Sequence, residues 1–231
     1  MKVLIVAGGF GTRMSAFAKD IPKPMLKVLG KPILEHLIVW LKSSGFREIS
    51  LCLGHRANIV RDYFQKGETW GVYLEYYIET EPRGTAGCVR DACQNSQEDI
   101  LVVYGDLFVE MNLKPFLDFH AGHSSAASLV LFKTDHPHDS DLVRLEGDKI
   151  LGFYRDAHAQ PFKHLSCAAV WAIRRPLLDL IPKDRPSDFG RDIFPQALKN
   201  GLSLSGYVTD EALVDLGTPE RFSAFEKGLS Q

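Results

Sequence analysis

Residues 1–25 read MKVLIVAGGFGTRMSAFAKDIPKPM, and this stretch decides the fold class. A short apolar strand is predicted at residues 2–7, and it leads straight into three glycines within four positions. Glycines at such a place let the backbone turn sharply and direct several N–H groups at one anion. The opening of the chain therefore predicts a phosphate-binding loop at the carboxyl end of a strand.

The loop Gly8-Gly9-Phe10-Gly11-Thr12-Arg13 fits neither common phosphate-binding motif. The P-loop requires Gly-Lys followed by Ser or Thr, and the dinucleotide fingerprint requires a third glycine where Met14 stands. Arg13 adds a permanent, forked positive charge suited to phosphate. Lys23 lies between two prolines that stiffen its segment. These residues predict a triphosphate site, and the alternative is a tight turn followed by an exposed charged loop.

The composition limits the classes of partner. The chain has 231 residues, and its formal net charge of −2 predicts no basic surface for nucleic acid or an anionic membrane. The longest apolar run is too short to span a bilayer, and the apolar segment before the glycines is too short for a signal peptide. We therefore predict a cytoplasmic protein with small-molecule partners, and a homo-oligomer stays open.

Strands and helices alternate in the first half of the chain, which predicts parallel strands with helices on both faces of a sheet. Ligands then gather at the carboxyl ends of the strands. The second half is less regular, but no linker divides it, so we expect a single domain over residues 1–231. Predicted strands are residues 2–7, 48–53, 72–78, 100–104, 126–132, 142–146, 150–154, 166–173 and 202–208, and predicted helices are residues 33–43, 56–65, 85–93, 192–199 and 219–227.

The opening motif resembles the signature of the sugar-phosphate nucleotidyltransferases, which reads GGxGTR(L/M) followed by PKP(M/L). Residues 81–87, EPRGTAG, resemble the base-binding loop of that family, and residues 104–106, YGD, and 215–219, DLGTP, resemble its two metal-ligand blocks. The blocks follow the family order over nearly the whole chain. The resemblance implies a three-layer, Rossmann-like (GT-A-like) α/β fold with a mostly parallel central sheet.

The resemblance also implies site residues. Arg13 and Lys23 would support transfer, and Asp106 and Asp215 would hold Mg²⁺. The residues themselves agree, since Asp106 follows a predicted strand, Asp215 ends an apolar run, and hard carboxylates suit Mg²⁺. The alternatives are a turn residue at Asp106 and a helix N-cap at Asp215. Implied nucleotide contacts are Ala7, Gly8, Gly9, Gly11, Thr12, Arg13, Glu81, Gly84, Thr85 and Asp106.

Glu81 opens the implied base loop and bears on the choice of nucleotide. A carboxylate only accepts hydrogen bonds, and guanine offers two adjacent donors on its Watson–Crick edge. Uracil and thymine offer one donor between two acceptors, and family members that use them often carry Gln here. Glu81 therefore favours GTP, and a solvent-facing glutamate is the alternative.

The segments that face the sugar in the family depart from its pattern. Residues 153–158, FYRDAH, replace the usual Glu-Lys-Pro, and residues 167–169, CAA, replace Asn-Ala-Gly. Residues 135–141, DHPHDSD, contain a literal DxD, but Pro137 and its flanking strands predict a surface loop.

Residues 135–143 and 188–195 resemble the D-glycero-α-D-manno-heptose 1-phosphate guanylyltransferases, which favours heptose 1-phosphate as the acceptor. The alternatives are a mannose-1-phosphate guanylyltransferase, a nucleotide-sugar glycosyltransferase, and a non-catalytic relative that binds nucleotide sugar.

Overall fold

The computed structural model describes residues 1–9, 21–134, 141–154 and 165–228. The predicted roles of Gly11, Thr12 and Arg13, and the predicted surface loop at residues 135–140, lie outside these ranges. Strands are β1 (Lys2–Val6), β2 (Lys27–Val28), β3 (Lys31–Pro32), β4 (Glu48–Leu53), β5 (Tyr73–Ile78), β6 (Ile100–Tyr104), β7 (Leu107–Val109), β8 (Ala127–Lys133), β9 (Leu142–Glu146), β10 (Lys149–Tyr154), β11 (Leu165–Ile173), β12 (Leu204–Val208) and β13 (Leu213–Asp215).

Helices are α1 (Ile33–Ser43), α2 (Ala57–Phe64), α3 (Gly84–Cys93), α4 (Leu113–Gly122), α5 (Arg175–Leu178), α6 (Phe194–Lys199) and α7 (Pro219–Gly228). The chain divides into two compact units. The terminal unit comprises Lys2–Pro82, Val103–Met111 and the chain from Ala212, and the middle unit comprises Met1, Arg83–Val102 and Asn112–Glu211.

The terminal unit is built on parallel strands, as the alternation of strands and helices predicts. β1 pairs parallel with β4, and β4 pairs parallel with β5. The side chains of Val3, Leu4 and Ile5 in β1 are at most 1% exposed, and α1 buries an apolar face that repeats at helical spacing. The indole N–H of Trp40 donates to the carbonyl of Met111 at 2.7 Å, which ties α1 to the segment after β7.

The middle unit mixes parallel and antiparallel pairs in the strand order β11-β8-β12-β10-β9. β12 runs parallel to β8, whereas β11 pairs antiparallel with β8 and β10 pairs antiparallel with β9. The β9–β10 hairpin lies where the sequence predicts one. The α/β class is confirmed, and parallel pairing is most regular in the terminal unit.

Some elements are longer or shorter than predicted, and some were not predicted at all. α1, β4, β6 and β9 have the predicted bounds. The predicted helix at residues 192–199 is α6 preceded by a π-helical turn, Phe189–Ile193. α4 and the short strands β2, β3, β7 and β13 are absent from the sequence prediction. Over the residues that the structure covers, no helix combines the length and apolar character needed to cross a membrane.

Candidate nucleotide and cation site

The glycine loop begins where β1 and β4 come closest. The N–H of Ala7 donates to the carbonyl of Cys52 at 2.8 Å, which extends the strand pairing up to the loop. A Cβ atom at Gly54 would lie 2.5 Å from the carbonyl oxygen of Gly8, so the two backbones touch. A Cβ atom at Gly9 would have no neighbour within 4 Å among the described residues. The described start of the loop therefore emerges at the carboxyl end of β1.

A two-stranded sheet brings two distant aspartates together. β13 pairs antiparallel with β7, and Asp215 lies opposite Leu107. Since Asp106 directly precedes Leu107, this register places the two aspartates side by side. The N–H of Leu216 also donates to the carbonyl of Asp106 at 2.9 Å. The small sheet, rather than the main one, thus fixes the spacing of the two predicted metal ligands.

Lys23 completes this group. It begins a 3₁₀ turn after Pro22, and its side chain is 12% exposed. Its ammonium lies 2.5 Å from Oδ2 of Asp106. A Cβ atom at Gly217 would lie 3.0 Å from this ammonium and 2.5 Å from Oδ1 of Asp215. A side chain at position 217 would therefore require the charged ends of Asp215 and Lys23 to move.

The carboxyl of Asp215 lies among charged groups of both signs. Its Oδ1 accepts a hydrogen bond from the N–H of Gly217 at 2.6 Å, and its Oδ2 pairs with the guanidinium of Arg221. Burial raises the pKa of the Asp215 carboxyl, and the negative charge of Asp106 raises it further, whereas Lys23 and Arg221 act in the opposite direction. Two carboxylates that repel each other are held between two cations.

This donor set fits a divalent cation. The carboxylates of Asp106 and Asp215 are hard oxygen ligands, and a shared cation would relieve the repulsion that raises the pKa of Asp215. Among residues 1–9, 21–134, 141–154 and 165–228, no group of three His, Cys, Asp or Glu side chains could hold a metal ion by itself. Mg²⁺ is suited to such a site because it keeps water and phosphate oxygens as its other ligands.

Two glutamates follow β5. Glu81 is exposed, whereas Glu79, the first residue after β5, is partly buried. The N–H of Glu79 donates to the carbonyl of Leu53 at 2.8 Å. A Cβ atom at Gly8 would lie 2.8 Å from Oε2 of Glu79, so this carboxylate lies against the start of the glycine loop. The sequence singled out only Glu81, and the spacing Glu-x-Glu-Pro was the available signal for Glu79.

The second half of the predicted base loop lies in the middle unit. Gly84 has a φ of +72°, and Thr85 is the second residue of α3. The hydroxyl of Thr85 donates to Oδ2 of Asp188 at 2.8 Å. Asp188 belongs to the motif that favoured heptose, and no pattern in the sequence predicts that it lies beside Thr85.

β11 carries a bulge where the family has Asn-Ala-Gly. The pairing of β11 with β8 shifts between Cys167 and Trp171, and Ala169 within the bulge has a φ of +52°. That conformation favours glycine, which is the residue the family pattern places there. Ala169 therefore adopts a conformation that suits the glycine of the family pattern better than alanine.

Arg221 was also missed by the sequence analysis. It lies in the first turn of α7, and its N–H donates to the hydroxyl of Thr218 at 3.3 Å. Thr218 thus caps α7, while Asp215 receives the guanidinium and the N–H of Gly217. The alternative prediction for Asp215 was a cap of the last helix. Asp215 instead accepts the N–H of Gly217, which lies in the turn before α7 and not in the helix.

Comparisons with known proteins agree with these motifs. The family described as Nucleotidyl transferase matches residues 2–231. The chain is similar to the mannose-1-phosphate guanylyltransferase of Mycobacterium tuberculosis, with 29% identity over 95% of this chain and 62% of that protein. It is also similar to the D-glycero-α-D-manno-heptose 1-phosphate guanylyltransferase of Campylobacter jejuni, with 36% identity over 49% of this chain and 51% of that protein.

The chain spans less than two thirds of the length of these curated relatives. Among solved structures, HddC from Yersinia pseudotuberculosis complexed with GMP-PN superposes with a TM-score of 0.80, and the match covers 99% of both chains. At 24% sequence identity this likeness shows the shared fold.

Proposed function

The chain belongs to the nucleotidyl transferase family, and from this premise we propose that it transfers a nucleoside monophosphate to a sugar 1-phosphate. The favoured donor is GTP, the favoured acceptor is D-glycero-D-manno-heptose 1-phosphate, and the products are a nucleotide sugar and pyrophosphate. The observation that carries the proposal is the group formed by Lys23, Asp106 and Asp215 in the terminal unit, which presents an ammonium beside two carboxylates.

The proposed chemistry is an in-line displacement at the α-phosphorus. An oxygen of the sugar phosphate forms a bond to phosphorus, and the bond from phosphorus to the departing pyrophosphate breaks. The nucleophile is already an anion, so no general base is needed, and positioning with charge neutralisation supplies the rate. Lys23 donates to phosphate oxygens at the reacting centre, and Arg13 is proposed to hold the departing phosphates.

Mg²⁺ is the proposed cation, held by Asp106 and Asp215, and when bound it would reduce the repulsion between the two phosphates. Gly217 and Arg221 keep the Asp215 carboxylate oriented, through an N–H and a guanidinium. The site fits this role because its carboxylates already balance two cationic side chains, which phosphate oxygens could engage once the cation is bound.

The preference for guanine rests on carboxylates at the end of β5. Glu81 carries it in the sequence, and Glu79 is a second candidate because its Oε2 lies against Gly8. The two curated relatives named above are both guanylyltransferases. A carboxylate favours guanine over uracil or thymine because it accepts two hydrogen bonds from adjacent donors.

The proposed function and its main alternative differ in the sugar 1-phosphate that accepts the nucleotide. The mannose-1-phosphate relative matches 95% of this chain, whereas the heptose relative matches 49% at higher identity. The heptose carries one hydroxymethylene more than mannose, and such a difference discriminates only by about 10–200-fold. Because residues 135–143 and 188–195 resemble the heptose 1-phosphate enzymes, we expect heptose 1-phosphate to have the higher specificity constant and mannose 1-phosphate to react slowly.

A substrate matrix tests the proposal. Pyrophosphate release is measured with GTP, UTP, dTTP, CTP and ATP against heptose, mannose and glucose 1-phosphates, with and without Mg²⁺. Fastest turnover with GTP and heptose 1-phosphate is the expected result. Preference for mannose 1-phosphate selects the alternative, and transfer from a nucleotide sugar without pyrophosphate release indicates a glycosyltransferase. Binding of nucleotide sugar with no turnover of any pair indicates a non-catalytic relative.

The proposal includes one functional domain over residues 1–231 and a cytoplasmic location. A single domain predicts one cooperative thermal transition, with equal calorimetric and van't Hoff enthalpies. Two separate transitions would contradict it. Sedimentation of the same sample decides whether the protein is a monomer or a homo-oligomer, and fractionation of the source cells decides the location.

A further inference from the structure

The start of α3 is fixed by contacts with a distant segment of the middle unit. The N–H of Ser187 donates to the carbonyl of Arg83 at 3.0 Å, and the N–H of Ala86 donates to the carbonyl of Ser187 at 3.0 Å. Gly84, which lies between them, has a φ of +72°. A Cβ atom on Gly84 would lie 2.3 Å from the carbonyl oxygen of Ser187. The two backbones are therefore in direct contact, and only glycine permits it.

The hydroxyl of Thr85 forms two hydrogen bonds within this contact. It donates to Oδ2 of Asp188 at 2.8 Å and accepts from the N–H of Phe189 at 3.1 Å. A hydroxyl has one hydrogen to donate, and here that hydrogen goes to Asp188. The hydroxyl of Thr85 therefore joins the start of α3 to two successive residues, the side chain of Asp188 and the backbone N–H of Phe189.

Asp188 is itself rigidly held. Its Oδ1 accepts from the N–H groups of Gly190 at 3.0 Å and Arg191 at 3.1 Å, and its own N–H donates to Oδ2 of Asp192 at 2.8 Å. These bonds cap the π-helical turn that leads into α6. The next residue, Phe189, is completely buried and packs against Trp171 with ring centroids 5.0 Å apart.

We infer that Asp188 is a positioning residue for nucleotide binding, which acts through the hydroxyl of Thr85 on the predicted base-loop residues Gly84 and Thr85. One carboxylate oxygen caps the turn before α6, and the other oxygen anchors the start of α3. Thr85 then serves the nucleotide by fixing the backbone of the loop rather than by offering its hydroxyl. This inference rests on the proposed function, because it assigns the loop to the nucleotide rather than to the sugar phosphate.

The test compares two substitutions at Thr85 that differ in the hydroxyl. Thr85→Val keeps the branched shape and removes the hydroxyl, whereas Thr85→Ser keeps the hydroxyl. Amide hydrogen exchange at Ala86 and Phe189 reports the anchor directly. We expect exchange at both amides to be at least about tenfold faster in the valine variant, with protection retained in the serine variant. Unchanged exchange in the valine variant would overturn the anchor.

Nucleotide binding separates positioning from simple capping. For Thr85→Val we expect GTP affinity, measured by titration calorimetry, to fall at least about fivefold, while the KM for the sugar phosphate changes by less than about twofold. Asn112→Ala is the matched control, because Asn112 caps α4 in the same unit by accepting from the N–H of Lys114 at 3.1 Å. It should lower the melting temperature without changing GTP affinity.

The outcomes distinguish the inference from the proposed function. Equal losses of affinity for GTP and sugar phosphate in the valine variant would reduce Asp188 to a structural cap and overturn the positioning role. If the wild-type protein binds no nucleoside triphosphate, the proposed function fails, and the nucleotide role of Asp188 fails with it. If the wild type binds GTP and the valine variant binds it equally well, only the inference fails.

Discussion

The ammonium of Lys23 lies 2.5 Å from a carboxylate oxygen of Asp106, so the lysine pairs with one of the two proposed cation ligands. With Asp106 as the proposed ligand, we expect a divalent cation and Lys23 to compete for its carboxylate. Phosphate oxygens of a bound nucleotide offer Lys23 another partner, so cation and nucleotide should favour each other's binding. Lys23, the residue proposed to support transfer, would then also affect the affinity of the proposed cation site.

Lys23→Met should strengthen cation binding while it impairs turnover. Removal of the competing positive charge is worth about 1 kcal/mol or more in a partly buried site, which corresponds to an affinity for Mn²⁺ at least about fivefold higher. Mn²⁺ titration followed by electron paramagnetic resonance, without substrates, measures this. Lys114→Met is the control, since Lys114 is an exposed lysine that also pairs with an aspartate. Weaker Mn²⁺ binding in Lys23→Met would show that the two do not compete.

Asp106→Asn and Asp215→Asn should each reduce turnover at least about 100-fold, equivalent to roughly 2.7 kcal/mol of transition-state stabilisation. Each change removes a charged oxygen ligand and should also weaken Mn²⁺ binding in the same titration. Asp118→Asn is a matched control, because Asp118 forms an exposed ion pair on α4. If either variant keeps the wild-type turnover rate with Mg²⁺, the substituted aspartate is not a metal ligand.

Glu79→Gln and Glu81→Gln should identify the carboxylate that selects guanine. An amide offers both a donor and an acceptor, so the variant at the base-reading position should shift the ratio of specificity constants for GTP and UTP towards UTP by at least about tenfold. The other variant is the internal control and should keep the wild-type ratio. If neither ratio changes, guanine is not selected by these carboxylates.

Ala169→Gly should stabilise the protein. Ala169 has a φ of +52°, which costs a non-glycine residue roughly 1–2 kcal/mol. After the extra entropy that glycine loses on folding, we expect a net gain of about 1 kcal/mol and a melting temperature higher by about 2–4 °C. Ala168→Gly, at the neighbouring buried position without positive φ, should destabilise. The same loss in both variants would contradict the strain at Ala169.

The buried ring of His120 should make the protein less stable as the pH decreases. The ring is 2% exposed and lies 2.8 Å from the Ser128 hydroxyl, and burial, with the positive charge of Arg174, lowers its pKa despite the opposing charge of Asp99. The unfolded chain then binds a proton below about pH 6.5 that the folded protein resists. The unfolding free energy should therefore be constant above that pH and decrease below it.

His120→Asn removes this titration and keeps a polar side chain. Urea unfolding of both proteins from pH 5 to pH 8 measures the difference, and the wild type should lose more stability than the variant between pH 7 and pH 5. His123 is a further titratable neighbour of His120, and it lies 3.4 Å from Asp148. Parallel pH profiles for wild type and His120→Asn would exclude His120 as the cause.

The sequence predicted the elements with strong periodicity and the motifs that are local in the chain. α1 and β4 have long apolar repeats, and their bounds agree with the structure. β7 and β13 have three residues each, which is too short to show a period, so the pairing that joins the aspartates was not foreseen. α4 carried a readable signal, an Asn112 cap before an apolar repeat, that the sequence analysis did not use.

Contacts between residues that are far apart in the sequence could not be predicted from local patterns. Nothing in the residues around Thr85 indicates Asp188, because their pairing depends on where the turn before α6 packs. Glu79 became a candidate only from its distance to Gly8. By contrast, the family pattern Asn-Ala-Gly places a glycine at position 169, and the positive φ of Ala169 is consistent with it.

The pairing of β7 with β13 also sets an order for biosynthesis. β7 has β13 as its strand partner in this small sheet, and β13 is made long after it. Translation adds about 5–20 residues per second, so Asp215 leaves the ribosome on the order of ten seconds after Asp106. During that interval Lys23 has Asp106 but no second carboxylate beside it. A nascent chain can therefore place Lys23 beside Asp106 early, whereas Asp215 can join them only after residue 215 has been translated.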